Sequence, residues 1–560
     1  MTVAPDSYTD ESRPLLDQRP PSYHSASDVD SEATLDGDDA SSPPLINAKS
    51  KSEIVWILAG LWSAVFLGAL DGTYLPHRIL PTLLTPIGSQ FNRSNQSSYI
   101  GTSYLLSVCC FTPLYGRLSD ILGRKGAMLL ALTLFGVGTA CCGIAPSMNT
   151  LLAARAVAGM GGGGVMTVSS VTVTDLIPLK QRGLYQGMAN ILFGMGAGLG
   201  GPLGGWINDN LGWRAAFLLQ IPILIFSFVL VAWKVNIVLP SEVQSLPLKE
   251  KLLRIDFGGS ITLVIMVGSL LLGFSLKTTE EMPWSSPLIV GLFVTSAVFA
   301  VAFLAVEKYW AHSPVMPLRL LKQRTALAVS LNNLVSSMAA FSMARLSGLY
   351  NVPLYFSAVR LQSAASAGLH LLPHSVALST GSVFAGWVMR KTGKLYTLTL
   401  VSSLLTVLAN VLVVLWTDKT SAFHLWFDIV PQGFGMASSI TSTLIAMIAG
   451  VYKEDMAVAT GITYLFRTTG QVLGVSLSGA ILQAVLLSQL RHRITGPNAA
   501  EVRHYAFRHS IATIRDLDPL TKEAAVRSYG DALRVVFVFQ LVMCIIAFLS
   551  CVPIQENALP

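Results

Sequence analysis

Apolar residues in this chain come in blocks. From Glu53 onward, long apolar stretches alternate with short polar joins, and the stretches number about fourteen. They fall at 54–75, 97–115, 126–145, 150–174, 184–207, 213–233, 257–276, 286–306, 326–350, 363–388, 395–416, 424–450, 456–487 and 531–553. Most match the ~20 residues that a helix needs to cross ~30 Å of hydrocarbon. Inside lipid the backbone must satisfy its own hydrogen bonds, so the pattern predicts transmembrane helices. Residues 1–52 break the pattern. They are rich in Ser, Pro and Asp, with an acidic stretch at Asp28, Asp30, Glu32, Asp36, Asp38 and Asp39. Such a segment has too little apolar surface to order itself, and it lacks the charged start and apolar core of a cleavable signal peptide. The expectation is a disordered tail ahead of an all-α polytopic membrane protein.

Composition narrows the function. Of 560 residues, 52% are hydrophobic and only 12% charged, about half the charged share of a soluble domain. That excludes a soluble enzyme. The net charge of +7 would suit a nucleic-acid partner, but the cations sit in short loops between apolar stretches, where they act as topology signals. No nucleic-acid partner is expected. Cys109, Cys110, Cys141, Cys142, Cys544 and Cys551 lie in or beside apolar stretches as small packing residues. No spacing suggests a metal site. No nucleophile–base set or phosphate loop is present either, so neither an enzyme nor a cofactor is expected.

Lys and Arg divide unevenly among the loops. Those after even-numbered stretches hold 17, against 6 after odd-numbered ones, the last loop excepted. Both termini are therefore expected in the cytosol. The exception is the basic loop at 488–530. Asn92-Arg-Ser94 and Asn95-Gln-Ser97 are glycosylation acceptors, and both fall in the first non-cytosolic loop.

Three motifs carry chemistry. The first is Gly116-Arg-Leu-Ser-Asp120-Ile-Leu-Gly123-Arg124-Lys125, in the join between the second and third stretches. Its glycines permit a tight turn, and Asp120 can pair with cations or a helix N-terminus. An echo, Gly386-Trp-Val-Met-Arg390-Lys391-Thr-Gly393-Lys394, follows the tenth stretch and suggests two homologous halves. The second is Arg155 in the fourth stretch, ahead of Gly161–Gly164; an arginine at membrane depth faces a cavity or an acid. The third is Gly194-Met-Gly-Ala-Gly198-Leu-Gly-Gly201-Pro202-Leu-Gly204-Gly205, where small residues allow close helix approach and Pro202 gives a bend. Together these resemble the major facilitator superfamily over roughly residues 54–555. The resemblance implies a major facilitator fold of about 14 transmembrane helices in two pseudo-symmetric halves. Where the family commonly has Gln, this chain has Ala158.

Within the superfamily, Leu70-Asp71-Gly72-Thr73 resembles the first-helix signature of the 14-span drug:proton antiporters. A buried carboxylate there can load and release protons, or it can serve a structural pairing. After Thr73 the chain departs from the family: Pro76, His77, Arg78 and Pro81 would break a helix, and the readings are an insertion or a gene-model artefact. Leu83-Leu-Thr-Pro86, Tyr350-Asn-Val-Pro353 and Met389-Arg-Lys-Thr392 bring the chain closest to fungal vacuolar basic amino acid transporters. In the tail, Glu11 with Leu15 and Leu16 fits an acidic dileucine signal read by sorting adaptors. Pro20, Pro21 and Tyr23 fit a PPxY ligand for WW-domain ubiquitin ligases.

The expected layout is a cytosolic tail at 1–52, six-helix halves at 53–233 and 326–555, and two linker helices at 234–325. The expected activity is proton-coupled transport of lysine, arginine and histidine into the vacuole. Asp71, Arg155, Asn332 and Arg345 would be proton-coupling or cavity residues. Gly116, Asp120, Gly123, Arg124 and Lys125 would form the gate. The substrate and protons are the expected small-molecule partners, with membrane lipid around the helices. The alternatives are a plasma-membrane efflux pump and a non-transporting sensor of the same fold.

Overall fold

The computed structural model describes residues 50–72, 87, 90, 91, 97–237, 250, 255–279, 282–311, 314–343, 351–362, 366, 369–417, 419–494 and 518–556. Among them every regular element is helical. The tail residues Glu11, Leu15, Leu16, Pro20, Pro21 and Tyr23, the acceptors Asn92 and Asn95, the segment 74–81 and Arg345 lie outside the described residues.

In the first part of the chain come α1 (Lys51–Asp71), α2 (Ser97–Ile144), α3 (Met148–Leu176), α4 (Leu179–Leu211), α5 (Trp213–Leu218) and α6 (Ile221–Lys234). Next are α7 (Phe257–Thr279), α8 (Pro287–Tyr309) and the short α9 (Leu318–Leu321). The rest comprises α10 (Arg324–Met343), α11 (Asn351–Leu354) with a π turn at Tyr355–Val359, α12 (Leu372–Thr392), α13 (Tyr396–Val414), α14 (Ala422–Phe427), α15 (Val430–Ala449), α16 (Met456–Arg493) and α17 (Pro519–Cys551). Nine described helices are long and apolar enough to cross a membrane by length and composition. Their outer faces suit lipid: along α8, Val290, Val294, Val298 and Val301 are all exposed. This is a multi-pass membrane protein.

Several boundaries differ from the sequence reading. The join between the second and third stretches is helix, not loop: α2 runs through Gly116 and Asp120 and turns only at Gly123, whose φ of 78° favours glycine. The expected tight turn thus needs one glycine. Gly116 has another role, because a Cβ there would stand 2.8 Å from the Ala457 carbonyl on α16. The expected sixth crossing is split at Leu219 and Gln220, just before Pro222, which has no N–H to continue the ladder. By contrast, α4 is continuous through Pro202. The stretch at 488–530 is partly helical, since α16 continues to Arg493 and α17 begins at Pro519, capped by the Asp518 side chain on the Thr521 N–H. An Arg493–Asp531 ion pair links the two helices there.

Glycine sets how closely the helices approach. A Cβ on Gly161 would collide with the backbone of Phe135 and lie 2.5 Å from the Ala131 carbonyl. One on Gly163 would lie 2.6 Å from Thr112 Oγ1. So α3 packs against both limbs of α2, at 97–122 and at 124–144. The first and last parts of the chain also meet through glycine. Gly116 rests on Ala457 and Gly461 of α16, and Gly386 on Gly183 of α4, where a Cβ would be 2.5 Å from the Gly183 carbonyl. The Gly386 echo therefore makes the same kind of contact as the motif it resembles.

Overpacking predicts a measurable contrast. Gly161→Ala is expected to destabilise the purified protein by about 1–3 kcal/mol, read as a lower midpoint in detergent thermal unfolding. Gly136→Ala, where an added Cβ meets nothing within 4 Å, should keep the midpoint or raise it, since Ala is the better helix former.

Candidate functional site

Asp71 is the last residue of α1, and its side chain is fully buried. A helix C-terminus already carries negative partial charge, so a carboxylate there needs a cation. Arg155 of α3, 1% exposed, supplies it: Nη1 donates to Asp71 Oδ2 at 2.6 Å. Nε of Arg155 donates to the Ile100 carbonyl at 3.3 Å. The guanidinium lies 4.4 Å from the centre of the Tyr104 ring and 5.8 Å from that of Phe217, a cation–π arrangement strengthened by burial. The break between α5 and α6 gives the carboxylate its second partner. Gln220 sits at that break, and its Nε2 donates to Asp71 Oδ1 at 3.4 Å.

The glycine run makes this burial feasible. Gly159 packs on the Tyr104 carbonyl, and a Cβ on Gly162 would stand 2.6 Å from the Tyr104 hydroxyl. Without those glycines α2 could not come near enough for Tyr104 to stack on Arg155. The Tyr104 hydroxyl donates to the Gly68 carbonyl on α1 at 3.3 Å. Three helices therefore converge on one ion pair.

A second cluster lies where α2 bends. Arg124 is 4% exposed and bridges two acids: Nη1 to Asp120 Oδ1 at 2.6 Å, and Nε to Asp175 Oδ2 at 2.6 Å. It also donates to Ser119 Oγ at 3.1 Å. Arg117 stands 3.9 Å from Asp120, and Lys125 donates to Asn236 at 3.2 Å. Asp175 was missed in the sequence reading. Its signal was available, because it is the acid at the end of the fourth stretch, which emerges on the same side as Asp120.

The other expected site residues, and the buried polar side chains near them in sequence, are dispersed. Asn332 is not with Asp71: it donates to the Ala547 carbonyl and to Cys551, both at 2.9 Å, and packs α10 on α17. Asn333 donates within its own helix, to the Val329 carbonyl. His374 contacts the Ile429 carbonyl at 3.2 Å, and His370 is stacked between Phe356 and Trp426. Gly198, Gly201, Pro202 and Gly205 all lie on α4; nearby, Gly196 packs on the Phe66 carbonyl and draws α4 against α1. Between the two parts of the chain, Asn190 donates to Ser382 Oγ at 2.8 Å.

Residues 61–475 match the sequence profile of the Major Facilitator Superfamily. The chain is 36% identical to the multidrug resistance protein fnx1 of Schizosaccharomyces pombe, over 89% of this chain and 92% of that one. It is 31% identical to vacuolar basic amino acid transporter 1 of Saccharomyces cerevisiae, over 82% of this chain and 83% of that one. Its fold is similar to that of the human organic anion transporter MFSD10, with a TM-score of 0.53 at 15% identity, covering 88% of this chain and all of the other.

Removing one member of a buried pair leaves the other charge uncompensated, at about 3–5 kcal/mol. Asp71→Asn alone and Arg155→Gln alone should each lower the thermal midpoint. The double variant should recover much of the loss, and additive losses would show that the two side chains do not act as a unit. At the second cluster, Asp175→Asn should weaken the hold on Arg124 as Asp120→Asn does. Equal effects of the two single variants on the transport rate, with ligand affinity kept, are the expected result.

Proposed function

The chain belongs to the major facilitator superfamily, and from that premise we propose a 14-crossing antiporter that moves lysine, arginine and histidine from cytosol to vacuole lumen in exchange for protons. The observation that carries the reading is the Asp71–Arg155 pair, a fully buried carboxylate held by a fully buried cation between α1 and α3. A proton arriving on Asp71 cancels the charge that holds Arg155. The guanidinium is then left without its counterion, and α1, α2 and α3 lose the contact on which they converge. Loading and unloading a proton thereby biases two arrangements of the same helices. Alternating access requires such a bias.

The proposed layout is a tail at 1–52, six-helix halves at 53–233 and 326–555, and linker helices at 234–325, with both termini in the cytosol. On that orientation the Arg124 cluster is a cytosolic gate: its carboxylates tie the bend of α2 to the end of α3 while Gly116 rests on α16. The basic amino acid substrate is supported by the likeness to the vacuolar transporter of Saccharomyces cerevisiae. The tail signals at Leu15 and Leu16 support vacuolar routing through sorting adaptors, and Pro20, Pro21 and Tyr23 support capture by a WW-domain ubiquitin ligase. The likeness to the multidrug resistance protein favours a second reading, efflux of drugs at the plasma membrane.

Isolated vacuoles separate the readings. With an imposed pH gradient, uptake of labelled lysine, arginine and histidine is expected in vesicles carrying the protein and not in vesicles lacking it. Uptake of cationic drugs without amino acids would favour efflux instead. In the Asp71→Asn, Arg155→Gln variant, gradient-driven accumulation should be lost while gradient-free exchange persists. Accumulation at the wild-type level would sink the proton assignment. Leu15→Ala with Leu16→Ala should shift the protein to the cell surface, seen by imaging a fluorescent fusion.

A further inference from the structure

Arg467 lies within the apolar run 456–487 on α16 and is 8% exposed. Its guanidinium sits over the Tyr464 ring, 4.8 Å from the centroid. Nε and Nη2 are buried without a hydrogen-bond partner among the described residues. Among the described residues the buried acids are engaged elsewhere: Asp71 with Arg155, Asp120 and Asp175 with Arg124, Glu307 with the Met316 N–H, Asp428 with Trp416 and His424, and Asp455 with Arg319. The sequence contains no Asp or Glu at 326–417 or at 456–500. A guanidinium does not deprotonate in proteins, and burying it without a counter-charge is unfavourable.

The helix register shows where Arg467 points. Gly470 packs on Leu334 and Gly474 on Met338, so α10 and α16 lie side by side. One face of α16 turns instead to α2, through Gly461 on Gly116 and Thr468 on Cys109. Position 467 falls between those two faces, toward the region where the C-terminal helices meet α2. Asn332 marks the opposite flank of α10, against α17. Ser330 and Ser337 occupy the flank toward the same region as Arg467, and their hydroxyls are also buried without partners.

We propose that Arg467 binds the carboxylate of the transported molecule. Nε and Nη2 form the edge of the guanidinium that presents two parallel N–H groups, the fork that a carboxylate takes. The assignment rests on the amino acid transport reading above and narrows it. The substrate needs a free α-carboxylate, whatever its side chain, so esters and decarboxylated amines are excluded.

The test uses full-length protein reconstituted in proteoliposomes with a pH gradient. Lysine methyl ester and cadaverine should compete with labelled lysine at least about tenfold less well than lysine does. In Arg467→Gln the lysine KM should rise about tenfold or more and the three compounds should compete alike; Arg467→Lys, which keeps charge but not the fork, should be intermediate. Ligand-free Arg467→Gln should unfold no earlier than wild type, because it loses an unpaired cation; a structural arginine would give a lower midpoint. A wild-type lysine KM and intact discrimination in Arg467→Gln would overturn the proposal, as would a wild type that treats lysine and cadaverine alike. If the wild type takes up no lysine, the amino acid reading fails, and thermal shifts decide the arginine separately. Leucine or glutamate stabilising wild type but not Arg467→Gln keeps the carboxylate site; no carboxylate-dependent shift removes it.

Discussion

Asp71 ends a helix whose own dipole places negative partial charge there, in surroundings without water to solvate a carboxylate. Much of the N-terminal architecture follows from accommodating it. Arg155 has to reach it from α3, Tyr104 has to cover the guanidinium from α2, and the chain has to break near Gln220 to supply another donor. Each of these depends on helices approaching more closely than side chains usually allow. The glycines at 159–164 are what permit it. A glycine-rich helix is a poor helix former in water, but in lipid the unmade hydrogen bonds of any alternative are costlier, so the helix persists.

The same use of glycine recurs where the two parts of the chain touch. Gly116 on Ala457 and Gly386 on Gly183 bring α2 to α16 and α12 to α4, backbone against backbone. Such contacts are tight but involve no charge, so separating them exposes no unpaired ion. The ionic ties lie within each part instead, with Arg124 holding α2 to α3 and the Arg493–Asp531 pair holding α16 to α17. A molecule that must alternate between two arrangements gains from this division. Rigid units are held internally by ion pairs, and the surface along which they part is held by shape and by uncharged hydrogen bonds such as Asn190 to Ser382.

How much was legible follows from what each feature depends on. Apolar block length is a one-dimensional property, so helix order, the acid at Asp71 and the cation at Arg155 could be read directly. Their contact could not, since positions 84 residues apart meet only once the helix faces are known. Asn332 and Asn333 show the limit: one step along a helix rotates a side chain by about 100°, enough to turn Asn332 toward α17. The stretch at 488–530 was read as loop because its Arg residues suppress hydropathy. Yet α16 and α17 extend into it as polar helix, past the apolar runs that marked them. Asp175 was overlooked because an acid three residues before Pro178 reads as part of a helix end, and its partner Arg124 already had Asp120 four residues away.

Charge is distributed unequally between the two parts of the chain. In the N-terminal part a buried arginine has its acid at 2.6 Å; in the C-terminal part Arg467 has a tyrosine ring and two buried nitrogens without partners. Two homologous halves need not divide the work evenly. An internally paired charge is suited to a proton, which can cancel the carboxylate and be given back without leaving a vacancy. An unpaired charge is suited to a ligand that brings its own countercharge and takes it away again. Seating such a ligand removes the penalty of the bare guanidinium, and releasing it restores that penalty. Arg467 is thus strained when the carboxylate is absent, and occupancy of the site can bias the equilibrium between arrangements through an arginine that the resting fold leaves unsatisfied.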